Sequence, residues 1–377
     1  MLSHSGGGMK SKSPVTCALL FAGSLAAFAQ SQPPRLPPAP ANPPAPSLQA
    51  PADPGYEALI KTCKTPPPAG RGRGGGGAAG RAGGAPAPVP GIREYKVEAI
   101  PGVIAAGQQW KFIWQEVGNN GDGIVGTDDG GLLLAQNDNS KVVKLDKDGK
   151  ASVAYSDTHT GGALSMNKKK ALFMVQRGLR ANVSQIAPQR KVLADTYQGD
   201  PLDCIGGVIN DLTADSKGGV YFTMGGVYYA DPKGAVTKYG NTTPNGIVLS
   251  ADEKTLYATN GPAIAAFDVQ PDGSLTNQRE FAKLEGPGGG DGSTIDKDGR
   301  LYVTTNIGVQ VLGPDGKHLG TIPTPRGVIT AAFGGKDKKM LYILARGATQ
   351  ADGTEVANAA QVWAIQMIAQ GYKGRAK

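Results

Sequence analysis

The sequence predicts an all-β fold, a six-bladed β-propeller preceded by a disordered N-terminal leader and linker. A short apolar strand recurs six times: LLLAQ from Leu132, LFMVQ from Leu172, VYFTM from Val220, LYATN from Leu256, LYVTT from Leu301 and LYILA from Leu341. Their first residues lie 40, 48, 36, 45 and 40 positions apart, the spacing of four-stranded blades arranged around an axis. Each copy follows a turn carrying Asp, Gly or Lys, such as TDDGG, DSKGG or DKDGR. Past residue 91 no stretch sustains the 3.6-residue apolar period, so helices should be few.

The elements follow in chain order. Residues 1–30 read as a signal peptide, with Met9 as a second candidate start. Lys10 and Lys12 form its basic end, Val15 to Phe28 its apolar core, and Ala27-Phe28-Ala29 its cleavage signal. That core is shorter than the roughly 20 residues a membrane span needs. Export to the periplasm or medium is therefore expected, without stable membrane insertion after cleavage; an uncleaved anchor is the alternative. Residues 31–90 are a Pro/Gly/Arg-rich linker, since PPRLPPAPANPPAP and GRGRGGGGAAGRAGG offer too little apolar surface to offset the entropy of ordering. One island, DPGYEALIKTCKT, suggests a short helix near 53–64, with Asp53 as cap and Pro54 in its first turn. Outside the leader the cysteines are Cys63 and Cys204. They could pair in an oxidising compartment or remain two unrelated thiols.

The propeller is expected over 91–377. Its hairpin turns are LDKDGK, ADPKGAV, QPDGSL and GPDGKHLG. EYKVEAI (residues 94–100) and QVWAIQMI (residues 361–368) are strand-like and are expected to share one blade, closing the ring and removing an open edge. The formal charge of +8 resides mostly in the leader and linker: from Gly91 onward 31 Lys+Arg stand against 29 Asp+Glu. No basic face is visible, which excludes nucleic acid as a partner. Lys168-Lys169-Lys170 reads as a solvated turn.

About ten residues ahead of the recurring strand stand Asp122, Gly162, Asn210, Asn245, Asp291 and Ala331. Equivalent positions in a propeller converge on its axis. Asp122-Gly123, Asn245-Gly246 and Asp291-Gly292 could individually be ordinary turn signals, but their common register makes them a set. All four polar members offer hard oxygen donors. That suits one divalent cation, Ca²⁺ first, with Mg²⁺, Mn²⁺ or Zn²⁺ as alternatives.

The segments NDLTADSKGGVYFT, PNGIVLSADEKTLYATN and GGGDGSTIDKDGRLYVTTNIGVQVLGPDGKHLG resemble the SMP-30/gluconolactonase family, to which regucalcin belongs. The resemblance spans roughly Asp122 to Ala345. It implies a six-bladed propeller with one axial divalent cation that hydrolyses sugar lactones and related esters. It also implies that Asn245 and Asp291 bind the metal and that Asn210 sits beside metal or substrate. The family's glutamate ligand corresponds here to Asp122, one methylene shorter. Its substrate arginine, two residues before the Asn-Asp pair, corresponds to Val208. On this reading a small lactone or ester is the substrate and the cation polarises its carbonyl. Asp291 is the candidate general base and His159 an alternative, while Gly288, Gly289 and Gly290 let backbone approach the cation. No G-x-S-x-G nucleophile motif is present. A non-catalytic, metal-stabilised propeller that binds a ligand or partner is the competing expectation.

Overall fold

The structure, a computed structural model, describes residues 47–67 and 91–377. The expected signal peptide and most of the expected linker lie outside the described residues. Six antiparallel four-stranded sheets form blades 1 to 6. Blade 1 comprises Gly121–Gly126, Leu132–Gln136, Lys141–Leu145 and Ala151–Tyr155, and blade 2 comprises Gly161–Met166, Leu172–Gln176, Asn182–Ala187 and Lys191–Ala194. Blade 3 is built from Leu212–Ala214, Val220–Thr223, Val227–Ala230 and Val236–Tyr239. Blade 4 contains Ile247–Leu249, Thr255–Asn260, Ala263–Val269 and Leu275–Lys283. Blade 5 uses Ser293–Ile295, Leu301–Thr305, Gly308–Leu312 and His318–Ile322. Each recurring apolar strand is the second of its blade, buried on both faces between neighbouring sheets, which is why it reads as a continuous apolar run.

Blade 6 pairs Val328–Gly334, Met340–Thr349 and Glu355–Gln366 with Lys111–Val117, so the ring is closed by an early strand, but not the expected one. Residues 94–100 form no strand. Val97 and Ile100 instead pack with Trp110, Tyr302, Phe333 and Trp363 in a core between blades 5 and 6. Alternation marks a half-buried segment without naming its partner. Lys111–Val117 instead pairs with Glu355–Gln366, and Phe112 meets the Trp363 ring edge-on at 5.5 Å.

The hairpin turns have the expected chemistry. Gly149, Gly234, Gly273 and Gly316 take positive φ between 80° and 91°, a region open to glycine at little cost. Among the described residues helix is scarce: the island folds as Tyr56–Ile60, shorter than 53–64, and Gly55 rather than Asp53 is its N-cap. Asp53 accepts the Gly55 amide at 2.7 Å, closing the turn before the helix. A disulfide joins Cys63 to Cys204, with their Cα atoms 5.7 Å apart. It fastens the island to the 3₁₀ turn Leu202–Ile205 between blades 2 and 3. Among the described residues no helix is long and apolar enough to cross a membrane.

Candidate active site

Why the axial side chains converge follows from the glycines behind them. Gly123, Gly246 and Gly292 all have ordinary negative or extended φ, so they are not turn glycines. A Cβ at Gly123 would overlap the Leu164 amide of blade 2, one at Gly246 the Asp291 carbonyl, and one at Gly292 the Thr330 side chain. The missing side chain lets neighbouring inner strands touch at the axis, and the residue before it points inward. Threonines of the second strands lock this arrangement. Thr223 donates its hydroxyl to the Asn245 carbonyl (2.8 Å), Thr259 accepts the Asn245 amide (3.0 Å), and Thr304 donates to the carbonyls of Gly292 (2.9 Å) and Ile329 (2.8 Å).

The result is a chain of polar contacts that draws one residue from every blade. Asp122 of blade 1 pairs with the guanidinium of Arg177 from blade 2. Arg177 donates to the Asn210 side-chain oxygen at 2.7 Å, and to the carbonyls of Asn210 and Ile209 at 2.6 and 2.9 Å. The Asn210 amide donates to Asn245 Oδ1. Asn245 Nδ2 donates to Asp291 Oδ1 at 2.8 Å, and Arg346 of blade 6 stands 3.5 Å from Asp291 Oδ2. All four polar residues expected on the axis are therefore brought together.

Two members, Arg177 and Arg346, were not anticipated. The axial positions of their blades are the small ones, Gly162 and Ala331. A Cβ at Gly162 would overlap the Arg177 guanidinium, so the glycine makes room for it. The signal exists in the sequence: both arginines stand five residues after the start of the recurring strand, Leu172 and Leu341. His159 lies elsewhere. It is exposed with positive φ (46°), and its carbonyl accepts the Arg177 and Gly178 amides. Gly289 meets blade 4, where a Cβ would lie 2.6 Å from the Gly261 carbonyl oxygen. Gly289 and Gly290 line the outer pocket.

Two cavities meet at this chain of contacts. The inner one, about 10 Å³, is walled by Asp122, Asn210, Asp211, Asn245, Asp291 and Lys377. That is room for a single water or ion. The outer one, about 420 Å³, opens to solvent between Asn245, Thr259, Asp291, Asn306 and Arg346, a size suited to a small ligand. Asn245 and Asp291 line both. The Asp291 carboxyl is pushed up to about 7, chiefly by burial; Asp122 and Asp211 add repulsion, against the pull of Arg346 and Arg177.

The axial residues fit a divalent cation in donor chemistry and in space: Asp122, Asn210, Asn245 and Asp291 all offer oxygens around an ion-sized cavity, with the Lys377 ammonium on its wall. Asn245 and Asp291 would hold it. Asp122 and Asn210 face the same cavity while bonded to Arg177. Among the described residues no group of three or more His, Cys, Asp or Glu is placed to hold a metal, so carboxamide oxygens would complete the set.

Residues 153–347 match the model of the SMP-30/Gluconolactonase/LRE-like region. The chain belongs to this family. A gluconolactonase from Zymomonas mobilis is 30% identical over 184 residues, which is 40% of this chain and 51% of that protein. A lactonase drp35 from Staphylococcus aureus is 32% identical over 193 residues, 44% of this chain and 50% of that protein. The chain thus spans about half the length of the curated relatives it matches. A gluconolactonase structure from Xanthomonas campestris superposes with a TM-score of 0.60 at 23% identity, covering 76% of this chain and 99% of that one. A regucalcin from Agrobacterium tumefaciens, described as a calcium-binding protein, gives 0.54 at 18%, covering 71% and 97%. At these identities the structural likeness speaks to the propeller fold.

Proposed function

We propose that this protein is an exported hydrolase of sugar lactones or related esters, acting with one divalent cation, Ca²⁺ foremost, on the propeller axis. The carrying observation is the position of Asp291, the one carboxylate shared by an ion-sized inner cavity and a ligand-sized outer pocket. Family membership and the gluconolactonase and lactonase relatives support the reaction class, and the regucalcin's description supports calcium. The basic and apolar leader supports export, as does the Cys63–Cys204 disulfide.

When bound, the cation would polarise the substrate carbonyl and stabilise the negative charge that develops there. The chain's own residues divide the remaining work. Asn245 fixes Asp291 through its 2.8 Å hydrogen bond, leaving Oδ2 toward the outer pocket and Arg346. Asp291 also lines the outer pocket, where its carboxylate can accept a proton from an attacking water. Arg346, partly exposed in the pocket wall, can donate hydrogen bonds to substrate oxygens, a task Val208 cannot perform. A second reading, a non-catalytic binding propeller, is favoured by one observation: Arg177 already engages the oxygens of Asp122 and Asn210.

The separating experiment is hydrolysis of a panel of aldonolactones and aryl esters by wild-type protein and by Asp291→Ala. Turnover that the substitution reduces at least about 100-fold supports the hydrolase. Absence of turnover on every member, in protein that binds the cation, supports the binding propeller.

A further inference from the structure

The segment Gly371–Lys377 runs across the axial channel, with Lys373 exposed and Gly371, Arg375 and Ala376 buried. Gln370 and Gly371 are hydrogen-bonded to Lys297 and Lys338 at 2.8 Å each, against blades 5 and 6. A Cβ at Gly371 would overlap the Phe333 side chain, so the segment is seated tightly there. Ala376 then bridges Met166 of blade 2 through amide–carbonyl bonds of 2.9 and 3.0 Å. Arg375, buried, donates to the carbonyls of Leu249 and Ser250 in blade 4. Four blades thus hold one short segment across the channel.

Its last side chain ends in the cation cavity. The Lys377 side chain is 5% exposed, and its ammonium donates to Asp211 Oδ2 at 2.6 Å and to the Ile247 carbonyl. Asp211 is also held by the amides of Leu212 and Ile247, each at 2.8 Å. Lys377 lines the inner cavity beside Asp122, Asn210, Asn245 and Asp291, and it does not reach the outer pocket. The cavity therefore has a substrate-facing side, at Asn245 and Asp291, and a side closed by the Lys377 amine group.

We propose that Lys377 is a tethered cation built into the floor of the divalent site. It neutralises Asp211 and withholds that carboxylate from the divalent ion, which weakens divalent binding. The inference rests on the proposed cation site and extends it to a residue outside the axial register. Physically, a unit positive charge within several ångströms of a buried site opposes a second cation. A carboxylate relieved of its ammonium partner becomes available as a hard ligand.

The test is calorimetric titration of chelator-stripped, full-length protein with CaCl₂, comparing wild type with Lys377→Met and Lys377→Gln. Methionine keeps the aliphatic stem, and glutamine retains a neutral donor toward Asp211, so one variant serves if the other fails to fold. Either is expected to bind Ca²⁺ at least tenfold more tightly than wild type. Exposed Lys373→Met, which removes the same net charge outside the channel, should stay within twofold. Unchanged or weaker affinity in the Lys377 variants, with wild type binding normally, overturns this proposal and leaves the cation site standing. Binding only in the variants supports Lys377 as the resident cation and overturns the divalent site in the native chain. Absence of binding in all three overturns both.

Discussion

Arg177 forms an ion pair with Asp122 across the boundary between blades 2 and 1, and the arginine side chain is only 4% exposed. A guanidinium so buried is sustained by its full set of acceptors: Asp122, the Asn210 side chain and two carbonyls. Replacing it with methionine leaves Asp122 near the axis without its cation. Arg177→Met is expected to cost about 3–5 kcal/mol of stability, and Asp122→Asn only about 1–2 kcal/mol, because its amide oxygen can still accept. Urea unfolding of the two variants checks the order.

Asp291 carries a conflict between stability and chemistry. Its carboxyl is raised to about 7 in the folded protein, against an ordinary value of 3.8. Folding therefore favours the protonated form, and the associated stability is lost as pH rises from about 4 through about 7. In cation-free protein at pH 8, Asp291→Asn should be more stable than wild type by about 1–3 kcal/mol. Below about pH 4 the difference should vanish. The same substitution should reduce lactone hydrolysis at least about 100-fold. Thermal unfolding at both pH values, beside the assay, measures both effects.

The same raised carboxyl makes cation binding proton-linked. Below about pH 7 a proton must leave Asp291 before it can ligate, so apparent affinity should fall about tenfold per pH unit. Between pH 7.5 and 8.5 it should be nearly flat. Calorimetric titrations at pH 5.5, 6.5, 7.5 and 8.5 give the profile.

Gly246 tests the packing that aims the axial side chains. A methyl there overlaps the Asp291 carbonyl, so Gly246→Ala should cost about 2–4 kcal/mol and abolish cation binding by moving both ligands. Gly353→Ala, at positive φ (90°) with open space around it, should cost about 1 kcal/mol and leave binding intact. Denaturant unfolding and titration of both variants separate a local clash from a backbone preference.

The disulfide closes a loop of 141 residues between Cys63 and Cys204. Cys63→Ser should lower stability by about 2–4 kcal/mol under non-reducing conditions. Hydrolysis should be little changed, because the helix and its bridge lie outside both cavities. Thermal unfolding with and without reductant tests this.

The six blades were legible because burial on both faces makes Leu132–Gln136 and its five counterparts begin as apolar runs, at a regular spacing. The closing strand was not. Residues 94–100 alternate as well as Lys111–Val117 do, and only the hydrogen-bonded pairing of Lys111–Val117 with Glu355–Gln366 separates them. Asp122, Asn210, Asn245 and Asp291 were visible through their register, but the role of the glycines that follow three of them was not. Those glycines answer to close approach between blades. Arg177 and Arg346 were hidden because a residue at a strand end carries no local sign of pointing inward. Their shared place five residues after Leu172 and Leu341, in the two blades with small axial residues, is a signal visible only when the repeats are aligned. Lys377 had no such signal, since its place depends on the path of Gly371–Lys377 across the channel.

The central claim is that an axial oxygen set holds a divalent cation needed for lactone hydrolysis. The most direct measurement is hydrolysis of an aldonolactone by wild-type protein before chelation, after exhaustive chelation, and after CaCl₂ or MnCl₂ is restored. The account predicts turnover that chelation removes and the restored cation returns. Turnover that persists unchanged in fully chelated protein would contradict it.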